Sequence, residues 1–123
     1  MILDWTPAHF PRHGEGLECF DGTPLYEVPD PAMAVHPMWG TLLYNYESPM
    51  VKDFLIANAF YWTEVYHVDG FRVDDVDSML YLDYGREGES WRPNLYGTNE
   101  NLASVEFLKH LNSVMKKSTP VFL

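Results

Sequence analysis

Two short segments, residues 1–5, whose apolar start stops at Asp4, and residues 71–73, which stop at Asp74, are each followed by a long stretch rich in glycine and tyrosine, the first of them rich in proline as well. This arrangement limits the fold more than any other feature of the chain. Runs this short are too brief for helices and read as buried strands, each delivering a carboxylate to its mouth. After the first run, residues 6–47 carry Pro7, Pro11, Pro24, Pro29, Pro31 and Pro37, with Asp21-Gly22 as a turn signal. No helical or strand period persists there. The segment is expected to be a loop, and a loop so long inside a compact domain signals either function or a hidden element.

Ser48-Pro49 then opens a predicted helix, with Ser48 as N-cap and Pro49 at the first helical position. Val51, Phe54, Leu55, Trp62 and Val65 recur at three- and four-residue spacing, interrupted by Asn58. At ~3.6 residues per turn the helix runs for about four to five turns. Asp69-Gly70 ends it, and residues 71–73 form a short strand that stops among Asp74, Asp75 and Asp77. Residues 78–98 are expected to be a second Tyr- and Gly-rich loop. A second helix starts near Asn99 or Asn101, with Leu102, Val105, Leu108, Leu111 and Met115 as its buried face and Lys116 and Lys117 suiting its C-terminal dipole. Ser118-Thr119-Pro120 breaks it, and residues 121–123 begin a third strand.

The order is strand, loop, helix, strand, loop, helix, strand, which is two successive βα units of a parallel sheet and hence an α/β fold. Both long loops follow the C-terminal ends of strands, where barrels and open sheets build their sites. The chain has the logic of a slice of a barrel. At 123 residues it is too short for a complete (β/α)8 barrel, which needs roughly 250.

Charge narrows the partners. Eight Lys and Arg stand against 18 Asp and Glu, a formal net charge of −10, so neither a nucleic acid nor an anionic membrane is expected as a partner. Aromatics at 15% mark a globular chain rather than a disordered one. Cys19 is the only cysteine, which suits a reducing, cytoplasmic setting. The first residues lack the basic and long apolar regions of a signal peptide, and no apolar stretch approaches the ~20 residues of a membrane span.

Three groups of residues could carry chemistry. Asp4 lies at a strand mouth and His9 follows five residues later, so acceptors and a donor could together hold a polyhydroxylated ligand. Equally, Asp4 could cap a turn and His9 could be an ordinary loop residue. In the second group, strand alternation puts Arg72 and Asp74 on one face. A buried arginine beside a carboxylate keeps it ionised and oriented, as a carboxylate nucleophile requires. A structural ion pair would look the same. Asp75 and Asp77 fit no cation loop and are expected to be solvated loop acids, since position 79 is methionine and the obligatory glycine is absent. His9 and His13 are separated by Phe10-Pro11-Arg12, which prevents a helical zinc motif, and no metal is expected. The third group is Trp39, Tyr44, Tyr46, Tyr81, Tyr84, Trp91 and Tyr96, all on expected loops, where they either pack the loop undersides or offer platforms to the C–H faces of sugars.

In this order the first two groups resemble the α-amylase-type glycoside hydrolase superfamily (family 13), and within it the bacterial glycogen branching enzymes. Ile2-Leu3-Asp4-Trp5-Thr6-Pro7-Ala8-His9-Phe10-Pro11 resembles that family's third-strand motif, and Asp69-Gly70-Phe71-Arg72-Val73-Asp74 its fourth-strand motif. The stretches Phe20-Asp21-Gly22-Thr23-Pro24-Leu25-Tyr26, Trp39-Gly40-Thr41-Leu42-Leu43-Tyr44-Asn45-Tyr46 and Ser78-Met79-Leu80-Tyr81-Leu82-Asp83-Tyr84 are similar too, as is the region from Asn94 to Leu108. The resemblance spans essentially the whole chain and implies part of a (β/α)8 TIM barrel, from about strand three to the start of strand five, with long βα loops. All of residues 1–123 would then be one fragment of the catalytic barrel domain, with no second domain.

The resemblance also implies a chemistry. The family cleaves an α-1,4-glucan and transfers the segment to a 6-hydroxyl, making an α-1,6 branch by a retaining mechanism with a covalent intermediate. Asp74 matches the nucleophile, Arg72 the arginine that orients it, and Asp4 and His9 the substrate-binding pair of the donor subsite. The partner implied is an α-1,4-glucan such as glycogen, amylose or a maltooligosaccharide, with no cofactor and no metal. Thr6 and Ala8 stand where the family has Val and Gly, and Asp75 and Asp77 where it has small apolar residues. Two extra carboxylates could raise the pKa of the nucleophile by like-charge repulsion. Other readings are a fragment of another family 13 enzyme, a trehalohydrolase or α-amylase, or a non-catalytic α-glucan-binding piece.

The family's acid/base glutamate falls beyond Leu123, so a fragment lacking normal branching activity is expected. Three barrel strands would also leave sheet edges and apolar surface uncovered, and a marginal or molten monomer is expected unless the long loops fold back as cover. Pure 1–123 is therefore predicted to form no α-1,6 branches from amylose. Detection of new branch points by debranching and chain-length analysis would sink that expectation.

Overall fold

The computed structural model describes residues 1–13, 15–86 and 91–118. Both short segments become strands and pair in parallel. β1 (Ile2–Trp5) lies beside β4 (Gly70–Val73), with Leu3 opposite Phe71, Asp4 opposite Arg72 and Trp5 opposite Val73. Side chains alternate across the pair. Leu3, Trp5, Phe71 and Val73 turn to the core, with the Trp5 and Phe71 rings 5.3 Å apart. Ile2, Asp4 and Arg72 occupy the other face and are exposed.

Parallel strands need a crossover, usually a helix. Here it is α2 (Pro49–Glu64), with Ser48 in extended conformation at its N-cap and Pro49 at its first position, although the serine side chain makes no capping hydrogen bond. Its buried stripe is Val51, Leu55, Ala59 and Thr63. Phe54 and Val65, expected on that stripe, are exposed, and the helix stops one residue short of Val65. Asn58 interrupts the stripe because it accepts a 2.8 Å hydrogen bond from the Trp5 indole, tying the crossover to β1. A buried tryptophan N–H would otherwise lack a partner.

The segment 6–47 is more ordered than its composition suggests. β2 (His9–Phe10) pairs antiparallel with β3 (Leu42–Leu43), and α1 (Pro31–Ala34) intervenes, its N-terminus capped by Asp30 accepting from Ala32 N–H. Phe10, Ala34, Leu42, Tyr44 and Tyr46 from this segment all enter the core. Two-residue strands and a one-turn helix are too short to leave a period in the sequence. The Arg86 guanidinium donates to the carbonyls of Ala32, Met33 and Val35 at 2.9, 3.2 and 2.7 Å, satisfying acceptors at the end of α1 that have no helical partner.

Residues 78–98 likewise are not all loop, because α3 (Val76–Leu80) occupies their start. The last described element is α4 (Leu102–Ser118). Asn101 accepts from Ser104 N–H at 3.2 Å, favouring Asn101 over Asn99 at the helix start. The buried positions are Ser104, Phe107, Leu111 and Met115, so the helix is rotated from the expected face, with Leu102 exposed and Val105 and Leu108 only half-buried. Phe107 decides the rotation by stacking on Tyr46, with centroids 5.3 Å apart and planes at 24°. The strand expected at residues 121–123 lies outside the described residues. Among the described residues no helix is long and apolar enough to cross a membrane.

Removing the fully buried Phe107 should cost much more than trimming its half-buried neighbour. Phe107→Ala is expected to lower unfolding free energy by about 3–5 kcal/mol, and Val105→Ala by less than about 1.5 kcal/mol. Urea denaturation of both variants checks this, and equal costs would refute the helix orientation.

Candidate functional site

The parallel register brings Asp4 and Arg72 side by side although 68 residues separate them. The guanidinium faces Asp4 as a fork, Nε to Oδ1 at 3.0 Å and Nη2 to Oδ2 at 3.3 Å. Asp74 follows the end of β4, its Oδ1 3.9 Å from Arg72 Nη2. Asp74 N–H donates to Trp5 carbonyl at 2.8 Å, extending the ladder by one rung. Three of the four expected site residues therefore meet at the C-terminal edge of the sheet.

Two expectations change. Arg72 is not buried, since 67% of its side chain is exposed, and Asp4 and Asp74 are similarly open at 65% and 57%. The reason is local: among the described residues no element packs across the face that carries Ile2, Asp4 and Arg72. The guanidinium also engages Asp4 more closely than Asp74. An exposed ion pair contributes little to stability, so this fork orients side chains more than it holds the fold together.

His9, the fourth residue, belongs to an adjoining cluster. Its Nε2 lies 3.1 Å from Asp75 Oδ2, which also accepts from His36 Nε2 at 2.9 Å and from the Ser78 hydroxyl at 3.0 Å. The two imidazole rings meet edge to face, 5.0 Å apart. Asp75 is thus no solvated loop acid; its side chain is only 16% exposed, whereas Asp77 is exposed as expected. Asp75 adopts the left-handed conformation, with φ 57° and ψ 37°, immediately before α3.

Sequence reasoning missed His36. It is a lone histidine in a proline-containing loop, 27 positions from His9 in the numbering, and no spacing rule connects the two. A tight turn places it: His36 N–H donates to Thr41 carbonyl at 2.7 Å, and Gly40 N–H donates back to His36 carbonyl at 2.9 Å. Gly40 has φ +69°, open to glycine without penalty. His36 is fully buried. Tyr46 fixes the backbone before His9 from below, its hydroxyl donating to the Pro7 carbonyl, and burial holds that phenol well above its ordinary pKa.

His9, His36 and Asp75 have the donor types and mutual spacing of a metal triad. The hydrogen bonds argue otherwise. His36 Nδ1 accepts from the backbone N–H groups of Met38 and Trp39, both at 3.2 Å, so its proton resides on Nε2. A cation would need the lone pair at Nε2, which would force a proton onto Nδ1 against two N–H donors. The cluster suits a hydrogen-bonded clamp rather than a metal.

The loop aromatics divide. Tyr44 and Tyr46 are buried in the core, whereas Trp39, Tyr81 and Tyr96 are 68%, 42% and 79% exposed. A cavity of about 530 Å³ opens among Tyr44, Tyr46, Tyr81, Tyr84, Arg86 and Arg92, and none of Asp4, His9, Arg72 or Asp74 lines it. The aspartate–arginine cluster is an open surface site, not the floor of that cavity.

No family model matches the chain. Among curated proteins it is similar to the 1,4-alpha-glucan branching enzyme GlgB of Butyrivibrio fibrisolvens, 56% identical over 123 residues, which is all of this chain and 19% of that protein. The GlgB of Thermobifida fusca is 52% identical over 120 residues, covering 98% of this chain and 16% of that protein. The GlgB of Thermosynechococcus vestitus is 52% identical over 123 residues, covering 100% and 16%. The chain therefore spans less than a fifth of the length of these relatives.

The state of His9 generates a pH dependence. Burial, and then the neighbouring His36, lower its pKa below 6.5, while Asp75 and Asp74 oppose the shift. A histidine with a depressed folded pKa binds its proton better in the unfolded chain, so its contribution is fully present above about 6.5 and declines as pH falls towards the folded value. The thermal midpoint is expected to fall on acidification through that window, and to fall less in His9→Gln. A drop equally steep in both would assign the dependence to other groups.

Proposed function

We propose, starting from the chain's relatedness along its whole length to a segment of 1,4-alpha-glucan branching enzymes, that it is the glucan-handling part of such an enzyme's catalytic barrel. In this reading β1 and β4 are consecutive strands of a (β/α)8 barrel and α2 is the helix between them. The sheet's C-terminal edge is the rim where the sugar lies. Asp74 serves as the nucleophile that attacks the anomeric carbon of an α-1,4-glucan, releasing the reducing-end portion and forming a glycosyl-enzyme ester. Transfer to a 6-hydroxyl then creates the α-1,6 branch. Arg72 places a positive charge beside Asp74, and Asp4 and His9 bind hydroxyl groups of the donor sugar. A retaining transfer also needs a second carboxyl group about 5–5.5 Å from the first as acid/base. No role in this chain is assigned for it.

The observation that carries the reading is the register: Asp4 opposite Arg72, with Asp74 one residue beyond β4, at the same edge of a parallel pair. Two carboxylates around one guanidinium form a cluster rich in hydrogen-bond acceptors for the hydroxyl groups of a polyol. An α-glucan is such a ligand.

A chimera tests this directly. Residues 1–123 replace the matching segment of the Butyrivibrio fibrisolvens relative, and branching of amylose is measured for the chimera and for Asp74→Asn. The chimera should form branches, and Asp74→Asn should lose at least about a thousandfold of that rate, as expected for a group acting only in the bond-breaking step. Undiminished branching by Asp74→Asn would defeat the assignment. Maltooligosaccharide binding without turnover by an otherwise folded chimera would favour a glucan-binding piece instead.

A further inference from the structure

The residue that the reaction as proposed leaves unused is Asp75. It carries a negative charge, is mostly buried, and sits between two histidines. Its Oδ2 gathers His36 Nε2, His9 Nε2 and Ser78 Oγ within 3.1 Å. The three contacts come from three separate segments: the segment joining α1 to β3, strand β2, and helix α3.

His36 fixes the direction of this arrangement. Its Nδ1 is committed to two backbone N–H groups, so its Nε2–H must donate, and the Asp75 oxygen must accept. The ring is fully buried, which strengthens the hydrogen bonds and makes rearrangement expensive. Ser78 supplies a second donor, from Oγ to the Asp75 carboxylate and to the Asp75 carbonyl at 2.8 Å. The carboxylate is therefore pinned from behind before His9 is considered. The left-handed backbone at Asp75 is a conformation that aspartate visits more readily than most residues, and the surrounding hydrogen bonds maintain it.

We propose that Asp75 is a positioning residue for His9, engaging its Nε2 so that Nδ1 is the ring nitrogen offered to a hydroxyl of a bound glucan. This deepens the reading of His9 as a sugar contact and rests on it. Among the described residues His9 Nδ1 has no hydrogen-bond partner, whereas both nitrogens of His36 are occupied. An imidazole with Nε2–H held by a carboxylate presents a lone pair at Nδ1 when neutral and an N–H there when protonated. The charged and titratable groups facing the pair are Asp74 and Asp75 after β4, each ring for the other, Tyr46, whose phenol feels the Asp75 charge, and Tyr84, whose ring lies 5.9 Å from His36. The carboxylates favour the proton on His9 and burial disfavours it.

Two measurements on the intact chain test this. The first is the ring-nitrogen spectrum of histidine-labelled protein, wild type and Asp75→Asn, since asparagine tolerates the same backbone and still accepts from Ser78. In the wild type, His9 and His36 are each expected as a single Nε2–H form at neutral pH. In Asp75→Asn, His9 should revert towards the tautomer mixture of a free imidazole and titrate at lower pH, because the anion favouring its charged form is gone, while His36, whose tautomer is set by the Met38 and Trp39 N–H groups, should stay in its Nε2–H form if the fold is intact. The second is calorimetry with maltoheptaose as a double-mutant cycle. Asp75→Asn should weaken binding about threefold to tenfold, the span of one hydrogen bond, and should have no effect in a His9→Ala background. A His9 signal indifferent to Asp75→Asn, an equal loss of affinity in the His9→Ala background, or Zn²⁺ displacing the His36 Nε2 proton would each overturn the proposal. Fixed tautomers without maltoheptaose binding would keep the positioning role and remove the glucan reading. Binding with tautomers averaged in the wild type would do the reverse.

Discussion

The parallel register of β1 against β4 is the constraint from which the remaining arrangement follows. Parallel strands cannot be joined by a hairpin, so the chain between them must leave the sheet and return. It does so through a long covering segment and then through α2. The register also places Leu3, Trp5, Phe71 and Val73 on the core side, and Asp4 and Arg72 together on the other. A shift by one residue would exchange those faces, burying the charges and exposing the aromatics. The same apolar contacts that hold the strands together thus keep the aspartate–arginine fork in place, and the fork needs no stabilising role of its own.

The second organising feature is the cover formed by residues 6–47. Phe10, Leu42, Tyr44 and Tyr46 complete a core that the two-stranded sheet and two long helices could not close. Polar ties hold this cover in register. The Tyr46 hydroxyl is bound to the Pro7 carbonyl, the Arg86 guanidinium holds three carbonyls at the end of α1, and Asp75 gathers both histidines. Each tie satisfies buried or half-buried groups that would otherwise be costly, and each crosses a long stretch of sequence. The expectation that the loops must fold back as cover is answered at this level: they supply core residues, not only surface.

The site accordingly has two characters. Asp4, Arg72 and Asp74 are open to solvent, and salt and water screen their interactions. His9, His36 and Asp75 are enclosed, with both imidazoles held within 3.1 Å of the Asp75 carboxylate, and burial lowers the pKa of His9. His9 joins the two, half-buried at one end of the clamp and near enough to Asp74 to feel its charge. A ligand spanning both parts would meet an exposed, acceptor-rich group on one side and a preset imidazole on the other.

Local chemistry made several elements readable without any structure. Ser48-Pro49 marked the start of α2, Asp69-Gly70 the entry into β4, and Asp74 the end of β4, whereas β1 runs one residue past Asp4 to Trp5. Such signals depend on a few neighbouring residues and survive in one dimension. The rotation of α4, the short elements within residues 6–47, the exposure of Arg72 and the clamp around Asp75 were not readable, because each depends on partners far away in sequence. Phe107 outranks Leu108 only because Tyr46 offers it a ring to stack on, and His36 reaches Asp75 only through the turn closed at Thr41. By itself the sequence determined where elements begin and which charges stand at their ends, since capping, turn and strand-end preferences are local. Tertiary structure alone decided which of those charges are buried and which histidine meets which carboxylate, since burial and hydrogen-bond partnership exist only once distant segments have packed.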